Sequence, residues 1–171
     1  MSLFRKRIKV TKEELAEVLG HWIEKRLENE QIKETAIDFG IDTNNQKDLN
    51  SLVDELFDLN MWIVVFTCER VFKNISKRDE CLDVFHHLIY ERLSEGEETD
   101  YRNWILNLAQ KYMGYNEAIK SAQPILVIAN VVNTNIFEDL RKDPFLQMRI
   151  GNYIMTISDV LEKALKQYKL Y

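Results

Sequence analysis

The sequence predicts an all-α, single-domain bundle of five or six helices around one buried helix. Three observations predict it. Breakers are scarce, with five Gly and two Pro in 171 residues, whereas turn-rich β folds need more. No Pro or Gly lies between Gly40 and Gly96. Inside that span, "DLNMWIVVFTCERVF" (58–72) holds a run, 61–68, that is apolar except for Thr67. The run is short enough for a buried strand, and Ile63, Val64 and Val65 are β-branched. Helical spacing nevertheless continues on both sides of it. Leu49, Leu52, Val53 and Leu56 precede the run, and Val71 and Phe72 follow it. The run therefore reads as the middle of a helix over 47–74, buried all round.

The remaining elements follow in order. "TKEE" is a capping box that starts a helix at Thr11, with Glu14 reaching back; its stripe is Leu15, Val18, Leu19, Trp22, Ile23 and Leu27. "QIKETAIDFG" suggests a short helical turn ending at Gly40, before the polar loop "IDTNNQKD". After the central helix, Ser76 offers an N-cap for a helix over 77–94, with Cys81, Phe85, Leu88 and Ile89 inward. The acidic "EGEET" separates it from a helix starting near Asp100. Tyr101, Trp104, Ile105, Leu108, Tyr112, Tyr115 and Ile119 form that helix's stripe, and Gly114 loosens it. Pro124 opens a new helix, with Ser121 as cap, in preference to kinking the old one. "DP" at Asp143 and Pro144 restarts the chain as a last helix running to about 169. No repeat and no low-complexity segment interrupts the pattern.

Charge divides the chain. The net charge is -5. Residues 1–12 hold Arg5, Lys6, Arg7, Lys9 and Lys12 with no acid, which is +5 and leaves -10 for the remainder. Residues 1–10 are thus a basic arm and residues 11–171 a single acidic bundle. An acidic body disfavours nucleic acid. "EELAEVLG" and "KETAIDFGI" each contain Ala-x-x-x-Gly and resemble the first helix and turn of a helix-turn-helix motif. The first match, however, continues into more helix, and "IDTNNQKDLNSL" is too polar and acidic for a recognition helix. The two cysteines, Cys68 and Cys81, lie in apolar surroundings outside any CxxC, which points to inert thiols in a reducing, cytoplasmic compartment. No apolar segment follows the basic "LFRKRIKV" as in a secretory leader, and no run is long enough to span a bilayer.

Chemistry is sparse. Nothing pairs a nucleophile with a base, and no glycine-rich phosphate loop is present, so an enzyme is not the favoured reading. No cofactor is expected. Di-iron bundles need two Glu-x-x-His motifs. This chain has one Asp83-x-x-His86, leaving His86, with His21 and a carboxylate, as the candidate for a mononuclear metal site. The central helix offers a second candidate site. On a helical projection Asn60 and Thr67 share the stripe of Leu56 and Ile63, Arg70 lies on its edge, and Glu69 falls on the far side. Polar groups in a buried helix need partners or line a pocket. Three readings result, in order. The first is a non-enzymatic helical interaction or regulatory protein, self-associating as a homo-oligomer or taking another protein partner. The second is a bundle binding a small apolar or amphipathic ligand through Asn60, Thr67, Glu69 and Arg70. The third is a metal-dependent bundle enzyme using His86.

Overall fold

The computed structural model describes residues 7–94, 100–137 and 143–171. The acidic "EGEET" loop lies outside the described residues. The elements run β1 (Ile8–Val10), α1 (Lys12–Arg26), α2 (Asn29–Asp38), α3 (Gln46–Val71), α4 (Ile75–Leu93), α5 (Tyr101–Ile119), α6 (Pro124–Phe137), α7 (Pro144–Leu165) and β2 (Tyr168–Leu170). The protein is an all-α bundle; among the described residues it has one more helix than the sequence suggested, because "QIKETAIDFG" belongs to a full helix.

Start signals act as side-chain chemistry dictates. Thr11 and Glu14 form the capping box, with Thr11 Oγ1 accepting from the Glu14 amide at 3.1 Å. Asp100 and Asp143 accept from the amides of Arg102 and Phe145, each at 2.9 Å. Pro124 opens α6 as a separate helix, but Ser121 does not cap it: its Oγ has no hydrogen-bond partner. Two further ends differ from expectation. Asn74 is not the last turn of α3 but the N-cap of α4, accepting from the Lys77 amide, so α4 starts before Ser76. The last helix stops at Leu165. Residues 168–170 instead pair in parallel with 8–10, Ile8 opposite Tyr168 and Val10 opposite Leu170. The end of the basic arm is therefore part of the fold. Three-residue strands are too short for any periodicity to reveal, and their pairing joins opposite ends of the chain.

α3 touches all six other helices, while α1 packs along α4 and α6 along α7. Residues 59–64 of α3 are buried without a gap, Trp62 at 2% exposure and the others fully. That is more than one full turn, so no side of the helix faces water there. Further on, Val65 and Phe66 are half-buried and Glu69 and Arg70 are exposed.

Two glycines explain the helix-turn-helix resemblance. Gly20 is inside α1, where an added Cβ would meet Leu88 and Arg92 of α4 at 3.1 and 2.9 Å; it permits close helix packing and makes no turn. Gly40 does make one, at φ +68°, but the following helix is the central α3 and not an exposed recognition helix. Gly114 lies in the exposed middle of α5 with nothing within 4 Å of an added Cβ. Gly114→Ala is expected to raise stability by roughly 0.5–1 kcal/mol in urea titration, because Ala costs less backbone entropy in a helix. Unchanged or lowered stability would mean that α5 is not helical at that point.

Candidate functional site

The sequence-predicted residues fall in different places. Asn60 is fully buried and satisfied. Its Nδ2 donates to the Leu56 carbonyl at 2.8 Å and to the Tyr153 hydroxyl at 3.1 Å, tying α3 to α7. Thr67 is buried with no hydrogen-bond partner for Oγ1. Glu69 is exposed. Arg70 is exposed too, 3.1 Å from Glu162 of α7 and with its guanidinium over the Phe66 ring. These four side chains do not converge on one point.

Arg70 alone of the four lines a cleft of about 400 Å³ between α3, the end of α5, α6 and α7. Trp62, Phe66, Ile125, Ile128, Ile154 and Met155 form its apolar walls, and Arg70, Asp159 and Glu162 its charged end. The size lies in the range of small-ligand pockets. α6 and α7 come close here because Gly151 has no Cβ; one would sit 3.1 Å from the Ile125 methyl.

His86 has both ring nitrogens engaged. Nδ1 lies 2.8 Å from the Leu82 carbonyl and Nε2 lies 3.1 Å from the Tyr112 hydroxyl. The carbonyl requires a proton on Nδ1, so Nε2 accepts from Tyr112. Burial pushes the imidazole below its usual range, against the opposing Leu82 carbonyl and Asp83 charge. His21 is exposed beside Glu24. Among the described residues, no three His, Cys, Asp or Glu side chains are grouped to hold a metal ion. Cys68 and Cys81 are buried free thiols. Burial pushes Cys81 to about 12 and Cys68 up further, so both stay protonated and unreactive.

A polar network that sequence reasoning missed lies between α3, α5 and α6. Glu55 is 2% exposed. Tyr115 donates its hydroxyl to Oε1 at 2.6 Å, and Asn135 donates its amide to Oε2 at 2.9 Å. Lys111 Nζ lies 3.6 Å from the same Oε2 and 3.4 Å from Asp58. Burial pushes the Glu55 carboxyl up to about 7, with Tyr115, Lys111 and Asn135 opposing and Asp58 adding to the rise. Burial also raises Asp58, again against Lys111. The result is a core carboxyl able to gain or lose a proton near neutrality. An open cleft of about 440 Å³ includes Asp58 in its lining. One sequence signal could have found it: Glu55 falls three residues after Leu52 and four before Leu59, on the apolar stripe of α3.

Comparison with family models, with curated proteins and with solved structures found no match to this chain. No helix among the described residues is long and apolar enough to cross a membrane.

Proposed function

We propose that this chain is a non-enzymatic helical interaction protein that self-associates through the outer face of α7. The observation that carries the reading is one stripe of exposed apolar side chains. Phe145 (68%), Met148 (59%) and Met155 (49%) stand in water. With the exposed Asn152 they are spaced three, four and three residues apart, which is one face of a helix. Such a patch usually marks an interaction surface, and methionine suits one because it repacks readily. These four side chains are uncharged, and the next on that face, Asp159, is paired with Lys163, so a second copy can lie against the stripe with little repulsion. Twofold pairing of that kind uses the same patch on both partners. Met155 also lines the α3/α6/α7 cleft, which gives a side chain from the second copy somewhere to insert.

Self-association predicts a solution mass above the monomer's 20.3 kDa in light scattering at tens of micromolar. Met148→Glu with Met155→Glu is expected to return the protein to monomer without loss of helicity, since exposed substitutions cost little stability. A wild-type monomer at that concentration would end the proposal. The second reading, a small amphipathic ligand in the same cleft, is favoured by its apolar walls and the charges at one end. It predicts retained small-molecule mass in native mass spectrometry, lost on Ile128→Trp, which fills the cleft.

A further inference from the structure

The interaction reading rests on α7, and a different surface carries a second partner. Two open clefts, of about 480 and 440 Å³, share Leu27, Phe57 and Leu93 and so form one trough. The trough runs between the ends of α1 and α4, the first half of α3 and the start of α5. Ile23 and Ile89 continue its apolar floor on one side, Val53 and Trp104 on the other. Leu93 is 59% exposed at the junction, a large apolar side chain held in water where the two clefts meet.

The charges along the trough are one-sided. Glu24, Glu28, Asp54 and Asp58 line it, and among the described residues Arg92 is the one cation in the lining. Arg92 is already held by Glu17 and by Glu24 at 2.6 Å. Asp58 is met by Lys111, but Asp54 and Glu28 are exposed. We propose that this trough docks a basic amphipathic helix of a partner protein, its apolar face on Leu27, Phe57 and Leu93 and its lysines or arginines against Asp54, Asp58 and Glu28.

Each part of that occupant follows from the lining. An apolar floor calls for apolar side chains, and the exposed carboxylates of Glu28 and Asp54, beside the paired Glu24 and Asp58, disfavour nucleic acid and anionic lipid while attracting cations. The lining residues come from helices and the turn after α1, with no open strand edge among them. A docked segment finds no backbone ladder to join, which favours a helix, whose backbone hydrogen bonds are internal, over an added strand. This inference extends the interaction reading but does not use the α7 face, so the two can fail separately.

The test uses the full chain and a fluorescent 18-residue helical peptide of leucine and lysine, followed by anisotropy, with an otherwise identical leucine–glutamate peptide as control. Saturable binding of the lysine peptide is expected, weakening as salt rises. Leu93→Ser and Asp54→Lys are each expected to weaken it by roughly tenfold or more, with circular dichroism and the oligomeric mass of both variants unchanged. Equal binding by wild type and both variants would overturn the trough as the site, as would binding of the glutamate peptide. Deleting residues 1–7 tests the chain's own basic arm as the occupant. Peptide affinity unaltered by the deletion supports an outside partner, and affinity raised tenfold overturns it in favour of the arm. If the wild type is monomeric but these results hold, the α7 proposal fails and the trough stands.

Discussion

Glu55→Gln is expected to make the protein progressively more stable than wild type as pH rises from 5 to 8. The carboxyl stands at about 7 when folded, against an ordinary value of 4.5. An acid raised by folding binds its proton more tightly in the folded state. Folding therefore takes up a proton between those two values, and stability falls as pH rises through that window. Above it, the ionised carboxylate costs up to about 3 kcal/mol, an order-of-magnitude ceiling from 1.36 kcal/mol per pKa unit. Glutamine removes that cost and keeps the shape. Its carbonyl still accepts from Tyr115. Its amide faces Asn135, which is exposed enough to turn its own carbonyl inward. Lys111 keeps Asp58 and water. His86 works in the opposite direction: its folded value is lowered, so its contribution rises as pH rises through 6.5. It is present in both proteins and cancels in the difference between them. Urea titrations of both at pH 5, 6, 7 and 8 measure that difference. A gap that stays constant over the series would mean that Glu55 holds the same charge throughout.

The core and the start signals were legible in the sequence because both are local. Apolar spacing places Leu52, Leu56, Ile63 and their neighbours on one side of α3, and a run without polar breaks has nowhere to go but the middle. Thr11, Asp100 and Asp143 cap the helices they precede, since a short side-chain oxygen there has little else to bond. What was not legible depends on partners far away in the chain. Glu55 meets Tyr115 and Asn135, and nothing in the segment around 55 names either. Asn60 on the apolar stripe reads as a pocket residue, and only the fold shows that its amide bonds Leu56 and Tyr153. Glu69 is expected on a buried side, yet past Val64 α3 is enclosed on one side only, with Glu69 and Arg70 open to solvent and Thr67, Cys68 and Phe72 still buried. The projection gives an angle around the helix; it does not say how far along the helix the neighbours extend. The α7 stripe is hidden for a related reason: Leu146, Ile150, Ile154 and Ile157 mark an inward face, and Phe145, Met148 and Met155 beside them are too few to mark a second one in the sequence.

Trp62→Ala is expected to cost about 3–5 kcal/mol, the range for a large aromatic truncated in a core. Total stabilities run at roughly 5–15 kcal/mol, so the variant would be marginal or unfolded at 37 °C. Trp62 is the largest of the fully enclosed side chains in the 59–64 segment. It stacks on Phe66 with ring centroids 5.1 Å apart, tilts against Tyr115 at 5.3 Å, and donates Nε1–H to Asn116 at 2.9 Å. Removing it takes support from Tyr115, the residue that positions Glu55, so the pH dependence should change together with the stability. Trp62→Phe separates packing from hydrogen bonding. Most of the ring contact survives, and Asn116 is exposed and can bond water, so only about 1 kcal/mol should go with the lost hydrogen bond. The pair is measured by urea unfolding at pH 5.5, where Glu55 is mostly protonated, with Trp22 and Trp104 left as fluorescent reporters. An alanine variant as stable as the phenylalanine one would mean that α3 is not enclosed at residue 62, and the buried central helix would be wrong. A large gap between them would show that enclosure, not the polar contact, holds the middle of this bundle, and that a ligand or second copy entering the cleft meets a rigid tryptophan wall.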